Sequence, residues 1–345
     1  MPKTLLQTVS GPVPANCPRA SSAWTWRDHL GAIGVRLGFR RMRYSVPPGL
    51  HALGHPTPES PVFVSANYKL SFDHLRRALD GIDGWILALD TKGVNVWCAA
   101  GEGNFSTEEL VRRVRDAKLD QAVSHRTLVL PQLAAPGVDA FAAAKESGFR
   151  VVYGPVYAAD LPRFLANGQR ATPDMRRIHF RWRERLAVAP LELVIHGRQA
   201  LFAGLAIALL SGVAPFGYSW AQARSIGLCT FALWMATYLL AGLLGPWLLP
   251  WLPSRSFAFK GAVLGAGLAA AGLAAGQMPW PVLRMSAWAL LVAAGASFLL
   301  LNFTGCTTFT SPSGVRREIR WALPLQAAFA LAGLAAWTLA GWKGP

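Results

Sequence analysis

Five long apolar stretches in the second half of the chain restrict its fold more than any other feature. They cover roughly residues 200–221, 226–252, 258–278, 283–303 and 321–342. About 20 helical residues cross a hydrocarbon core of about 30 Å, so each stretch is long enough to span a bilayer. Residues 171–345 carry 14 Lys/Arg and only 4 Asp/Glu, whereas residues 1–170 carry 20 and 14. The first half therefore has the charge of a soluble domain and the second half that of a membrane domain. Cys17, Cys98, Cys229 and Cys306 lie far apart, which excludes a disulfide framework.

The net charge of +16 does not point to nucleic acid. Its densest run, Arg176, Arg177, Arg181, Arg183 and Arg185, sits just before the first apolar stretch, where basic residues set topology and meet anionic lipid. With the N-terminal half in the cytoplasm, 11 basic residues fall inside and 3 outside, so the expected C-terminus is outside. Residues 1–17 contain prolines and polar breaks, so neither a signal peptide nor a lipidated Cys17 is expected. Trp220, Trp251, Trp280, Trp321 and Trp342 fall near span ends and predict an interfacial belt. Gly261, Gly265, Gly267, Gly272 and Gly276 predict that the third helix packs closely and is central in the bundle. The spans hold almost no ionisable groups, which favours an anchor or scaffold over a transporter. The expected organisation is an irregular segment at 1–60, an α/β domain at 61–170, a basic linker at 171–199 and five helices over 200–342.

From residue 61 the pattern alternates. Strands are predicted at 62–64, 85–89, 127–130 and 151–153, with helices at 72–79, 107–117, 138–147 and 159–165. Alternation at this spacing predicts a parallel, doubly wound sheet, and such sheets bind ligands beyond the carboxyl ends of their strands. After the second of these strands comes Thr91-Lys92-Gly93-Val94-Asn95-Val96-Trp97-Cys98-Ala99-Ala100-Gly101. Asn95 is a good N-cap, which places Cys98 at the third helical position, where free amides and the helix dipole favour negative charge on sulfur. The small Ala99, Ala100 and Gly101 leave room for something broad and flat. On these features alone, a reactive thiolate and an inert core cysteine are both open.

The string Asn95-Val96-Trp97-Cys98-Ala99-Ala100-Gly101 resembles the cap-helix signature of the mercury-methylation corrinoid protein family (HgcA). Further blocks resemble it too: Ser65-Ala66-Asn67-Tyr68-Lys69, Leu89-Asp90-Thr91-Lys92-Gly93, Leu130-Pro131-Gln132-Leu133 and Tyr153-Gly154-Pro155-Val156. So does Asn302-Phe303-Thr304-Gly305, before the last helix, and the likeness runs over roughly residues 24–330. It implies a Rossmann-like corrinoid-binding domain, related to the corrinoid subunit of acetyl-CoA synthesis, followed by an all-α transmembrane domain of five helices.

The implied activity is transfer of a methyl group from methyl-Co(III) to inorganic Hg(II). Cys98 is then the lower axial ligand of cobalt, a soft donor serving a soft acceptor. Asn95 would position the cap helix, Trp97 would pack beneath it, and Val96, Ala99, Ala100 and Gly101 would complete the cofactor surface. Thr91, Lys92 and Asn67 are placed near the corrin edge. The Asp-x-His-x-x-Gly pattern is absent, so His74, His125 and His179 are assigned structural roles. The implied partners are a dicluster ferredoxin-like electron donor (HgcB type), a folate-linked methyl donor and membrane lipid. One departure stands out: the family continues its cap helix with Lys, where this chain has Glu102. The residues also leave open a carrier for another acceptor and a non-enzymatic membrane sensor. Cys229 and Cys306 lie in or near the spans and are assigned to packing.

Overall fold

The computed structural model describes residues 17–276, 280–307 and 309–343, and the chain divides into two compact units. The first holds residues up to 35 and 39–178; the second holds 36–38 and 179 onward.

In the first unit six strands form one mixed sheet. They are β1 (Arg19–Ala20), β2 (Gly49–Leu53), β3 (Val62–Ala66), β4 (Gly84–Leu89), β5 (Thr127–Leu130) and β6 (Arg150–Tyr153), in the order β1-β2-β4-β3-β5-β6. The four neighbouring strands β4, β3, β5 and β6 are parallel, as the alternating pattern requires, while β2 runs antiparallel to β4. Residues 1–60 are thus less irregular than expected. They supply β1, β2 and helix α1 (Trp26–Arg36), none of which has the period that marks the later elements.

The helices are α2 (Lys69–Ala78), α3 (Val96–Glu102), α4 (Thr107–Asp116), α5 (Leu119–Ala122), α6 (Ala140–Ser147) and α7 (Leu161–Ala166). Successive strand side chains point to opposite faces, and the core divides accordingly. Val62, Val64, Leu87, Leu89, Leu128 and Leu130 pack with α3, α4 and α6. Phe63, Ile86, Ala88 and Val129 face the other way, onto α2 and α7. Continuous apolar strands are what a sheet covered on both faces demands.

The second unit holds five helices long and apolar enough to cross a membrane. Their boundaries differ from expectation mainly at the first. Helix α8 runs Trp182–Leu210, so most of the expected linker is helical and carries Arg185, Glu192, His196 and Arg198 within it. The span is therefore not free of ionisable groups: His196 faces Glu192 at 3.5 Å. Pro215 does not break a helix but lies in a small hairpin of β7 (Val213–Ala214) and β8 (Gly217–Tyr218). Next come α9 (Trp220–Gln222), a π-helical turn over Ala223–Gly227 and α10 (Leu228–Leu248). Helices α11 (Phe257–Gly276), α12 (Val282–Phe303) and α13 (Pro312–Trp342) complete the unit.

Arg185 was expected to meet head groups, but its guanidinium is buried. It donates to the carbonyls of Pro246 (2.7 Å) and Trp247 (3.2 Å), capping the end of α10. Arg284 is likewise buried inside α12, against the Trp337 ring, rather than in an outer loop. Trp220, Trp251, Trp321 and Trp342 are exposed as a belt requires, whereas Trp280 stacks with the buried Trp288 and Trp337.

The central helix is the fourth and not the glycine-rich third. In α12, 61% of the apolar window is buried, against 33% in α11. The glycines do permit close approach. A Cβ at Gly261 would stand 2.5 Å from the Ala296 carbonyl oxygen and 2.6 Å from Ser297 Cα, both backbone atoms of α12. Gly267 faces open space. Gly261→Val is expected to cost about 1–3 kcal/mol through overpacking, whereas Gly267→Ala gains up to about 1 kcal/mol of helix propensity. Thermal unfolding in detergent checks the pair: the first variant should melt earlier than wild type and the second should not. The side chain of Cys306 lies outside the described residues.

Candidate functional site

Pairing of β3 with β5 stops at Phe63–Val129, although β3 continues to Ala66. Beyond that point the two strands part. The connection after β3 leads through α2 to β4, and the one after β5 leads through α6 to β6, on the opposite side. This reversal is where open α/β sheets accept ligands. An open cleft of about 840 Å³ lies there. Its floor is Val64, Ser65, Leu130 and Pro131, one wall is the Ser71, His74 and Leu75 face of α2, and the other is Pro155, Val156 and Tyr157 after β6. Asn95, Val96 and Trp97 close the rim.

The turn that delivers those rim residues is fixed by a buried asparagine. Lys92 (φ 55°) and Gly93 (φ 74°) take consecutive left-handed conformations, and the Val94 amide donates to the Thr91 carbonyl at 3.0 Å. A turn with positive φ at both centres favours glycine, which occupies the second. Asn67 Oδ1 accepts from the amides of Thr91 and Gly93 (both 3.1 Å) and from the Thr91 hydroxyl (2.9 Å). The buried Glu109 carboxylate accepts from the Asp90 amide at 2.8 Å, tying the same loop to α4. Asn67 and Thr91 are thus buried beneath the turn and do not reach the cleft edge. Lys92 is exposed but also stands outside the cleft lining. Asn67→Ala would leave the buried Gly93 amide without an acceptor, while the Thr91 amide and hydroxyl keep the Leu89 and Val94 carbonyls, at a cost of about 1–3 kcal/mol. Faster hydrogen exchange across residues 91–98, with the strand amides unchanged, is the expected signature.

Helix α3 is short and capped at both ends. Asn95 Oδ1 accepts the Cys98 amide at 3.1 Å, and Gly103 (φ 81°) ends the helix with its amide on the Ala99 carbonyl. The Asn95 side-chain amide also donates to Cys98 Sγ at 3.3 Å. Cys98 is therefore exposed with one oriented donor on its sulfur; it follows the cleft-lining Asn95, Val96 and Trp97 in the chain but does not itself line the cleft.

Three expectations for this helix change. Trp97 is 43% exposed and lines the cleft instead of packing beneath the helix. Ala99 and Ala100 are buried, and their small size serves packing: a Cβ on Gly137 would stand 3.0 Å from Ala100 Cα. Only Gly101 faces open space. Glu102 is exposed, with Asn104 Nδ2 at 3.4 Å.

Of the histidines, His125 bonds the Ser60 carbonyl (2.9 Å) and accepts the Thr127 amide (3.2 Å), a structural role. His74 lines the cleft, its ring centroid 5.4 Å from that of Trp24. The walls formed by α2, Pro131 and Pro155–Tyr157 were not assigned from the sequence. Their signal is positional, since Pro131 and Pro155 follow immediately or closely on parallel strands.

This same domain carries the chain's likeness to known proteins. The family model of the CO dehydrogenase/acetyl-CoA synthase delta subunit (CdhD) matches residues 40–162, from before β2 to the start of α7. The acetyl-CoA decarbonylase/synthase complex subunit gamma of Archaeoglobus fulgidus is 35% identical over 127 residues, covering 36% of this chain and 27% of that protein. The subunit of the same name from Methanopyrus kandleri is 33% identical over 122 residues, covering 35% and 26%. The chain thus spans about a quarter of the length of these curated relatives.

Proposed function

We propose that the α/β domain holds a corrinoid and that the chain is a membrane-anchored, corrinoid-dependent methyltransferase whose acceptor is inorganic Hg(II). The observation that carries this reading is the exposed Cys98, its sulfur accepting from Asn95, directly after the residues that line a cleft in the domain that resembles the CO dehydrogenase/acetyl-CoA synthase delta subunit.

The cleft suits such a group. Its volume lies in the ligand-binding range, and its walls are largely apolar with a few polar side chains at the edges. Those features match a macrocycle with an apolar face and an amide-bearing rim. A bound corrinoid supplies a cobalt centre able to carry a methyl group. Cys98 would face the cobalt as a soft ligand, Asn95 would hold that sulfur, and Trp97 would lie against the macrocycle. Ser65, Ser71, His74 and Tyr157 are the polar side chains that line the same cleft beside Asn95 and Arg77. The buried Asn67 and Thr91 act one layer away, by holding the turn that aims α3.

In this reading the five helices anchor the chain in a bacterial or archaeal cytoplasmic membrane, with the α/β domain in the cytoplasm. A dicluster ferredoxin of the HgcB type supplies electrons and a folate-linked donor the methyl group. A second reading is favoured by the names of the relatives, which are subunits of an acetyl-CoA decarbonylase/synthase complex. It keeps the corrinoid and replaces Hg(II) by a protein-bound acceptor.

The test is the visible spectrum of the detergent-solubilised protein reconstituted with cobalamin, followed by assay with Hg(II). A cobalt spectrum that differs between wild type and Cys98→Ala, with methylmercury formed by wild type, is the expected result. Cobalamin binding without methylmercury would favour the second reading. Failure to bind cobalamin would overturn both and leave a membrane-bound sensor of another ligand.

A further inference from the structure

The helical unit contains a cavity of about 400 Å³ between α8, α10, α12 and α13, walled mostly by Ala, Leu and Val side chains. That volume is within the range of small-molecule sites. Six wall residues carry polar groups: His196, Gln199, Trp234, Thr237, Tyr238 and Gln326.

All of their donor hydrogens except one amide hydrogen of Gln326 have an acceptor on the protein. Trp234 Nε1 donates to the Ala200 carbonyl (2.8 Å), the Thr237 hydroxyl to Leu233 (2.8 Å) and the Tyr238 hydroxyl to Leu193 (2.7 Å). Gln326 Nε2 donates to Ser297 Oγ at 2.8 Å. Gln199, with its amide turned as its neighbours require, donates to the carbonyls of Ile195 (3.2 Å) and His196 (3.1 Å). His196 directs Nε2 at the Glu192 carboxylate (3.5 Å), and in the neutral ring with its proton on Nε2 the Nδ1 atom is an acceptor. Two acceptors remain buried without a partner, His196 Nδ1 and Gln326 Oε1. Gln326 as a whole is only 8% exposed. A buried acceptor left unmatched carries a desolvation penalty that a donor from a ligand would remove.

An apolar cavity with two unmatched acceptors favours a ligand that donates. A carbonyl or ether oxygen would leave both acceptors unmatched, and an ammonium would lose its hydration in apolar surroundings. We propose that this cavity binds a neutral, lipid-soluble molecule with an apolar body and one or two hydroxyl groups, which donate to Gln326 Oε1 and His196 Nδ1. The bilayer offers two sources of that chemistry, a hydroquinone and a glycerol-type acyl alcohol. The site is independent of the corrinoid cleft.

The test uses the full chain in phosphatidylcholine nanodiscs, whose lipids lack hydroxyl donors. Three probes are compared by saturable change in tryptophan fluorescence and by shift of the thermal transition: a decyl hydroquinone, its dimethyl ether and a monoacylglycerol of similar chain length. At least one hydroxyl probe is expected to bind at least tenfold more tightly than the ether, and the tighter of the two names the source. Gln326→Leu should remove that tenfold preference while leaving weak ether binding unchanged. Ala203→Leu, which adds bulk at the cavity wall, should abolish binding of every probe. Binding of both hydroxyl probes no tighter than the ether to wild type would overturn the proposal without any variant. So would an unchanged preference in Gln326→Leu, and binding of none of the probes would mean that the cavity holds water or lipid chains only.

Discussion

Replacing Cys98 with alanine is expected to abolish methyl transfer to Hg(II) and to shift the cobalt absorption bands, while the α/β domain stays folded. The side chain is exposed, so its loss leaves no cavity. The Asn95 cap is kept, because Asn95 accepts from the backbone amide of residue 98 and not from the sulfur. Stability should therefore change by less than about 0.5 kcal/mol, as for an ordinary surface substitution. Activity should fall by more than the ~10–100-fold typical of losing a group that merely supports a metal ligand. Asn95→Ala provides the contrast. It should cost about 1 kcal/mol through the lost cap and reduce activity within that ~10–100-fold range, since sulfur remains but its donor does not. Thermal unfolding, the cobalt spectrum and methylmercury formation, measured on the same three proteins, separate the two roles. Full activity in Cys98→Ala would sink the ligand assignment.

The second large effect concerns an ion network behind the cleft. Asp28 and Asp73 share Lys69, at 2.6 Å each, and Arg76, at 3.0 Å and 2.7 Å. Arg76 also donates to the carbonyls of Ser21 and Ala23, tying the N-terminal segment to α2. Asp73 is almost wholly buried, and removing it leaves Lys69 and Arg76 to share Asp28 alone. Asp73→Ala is expected to destabilise the first unit by about 3–5 kcal/mol. Hydrogen exchange of the β3 and β4 amides should report it, with helix α12 unaffected. Because the opposite side of α2 forms a wall of the cleft, cobalamin affinity should fall as well.

The network also sets a pH window. Burial would raise the Asp28 carboxyl, but hydrogen bonds from Lys69, from the amide and hydroxyl of Thr25 and from Arg76 outweigh it and hold the group well below the usual carboxylate range. A depressed folded value contributes stability above the unfolded value of about 3.9, which is lost as pH falls below it. For Lys69, burial opposes the charge, yet the hydrogen bonds it donates to Asp28 and Asp73 raise the group above its ordinary value. That contribution is complete below about 10.4 and is lost as pH rises through the folded value. The first unit should therefore be most resistant to denaturant between these limits, with both shoulders flattened in Asp28→Asn.

The membrane-spanning half was legible because lipid imposes a rule on composition: long apolar runs must be helices. What the rule cannot give is which helix is central. Gly261 and Gly265 mark a close approach, but the same contact serves both helices, and only their neighbours decide that α12 is enclosed. The start of α8 was misplaced for a related reason. Arg185, Glu192, His196 and Arg198 read as a linker until tertiary contacts show Arg185 on the carbonyls of Pro246 and Trp247 and His196 against Glu192.

In the soluble half, the period-2 strands, the spacing of their helices and the Asn95 cap with Cys98 three residues on were all written in the sequence, because they are local features with local periods. The roles of Ala99, Ala100, Asn67, Thr91 and Trp97 were not. A small residue before a glycine says that something comes close, without saying whether that is a ligand or, as here, the backbone near Gly137. A polar residue after a strand may face solvent or turn inward, and only the loop from β4 fixes Asn67 as the acceptor of three hydrogen bonds. Sequence alone determined which segments lie in lipid, which form the sheet and where the thiol is presented. The tertiary structure decided which of the surrounding side chains are surface and which are support, because burial depends on partners distant in the chain.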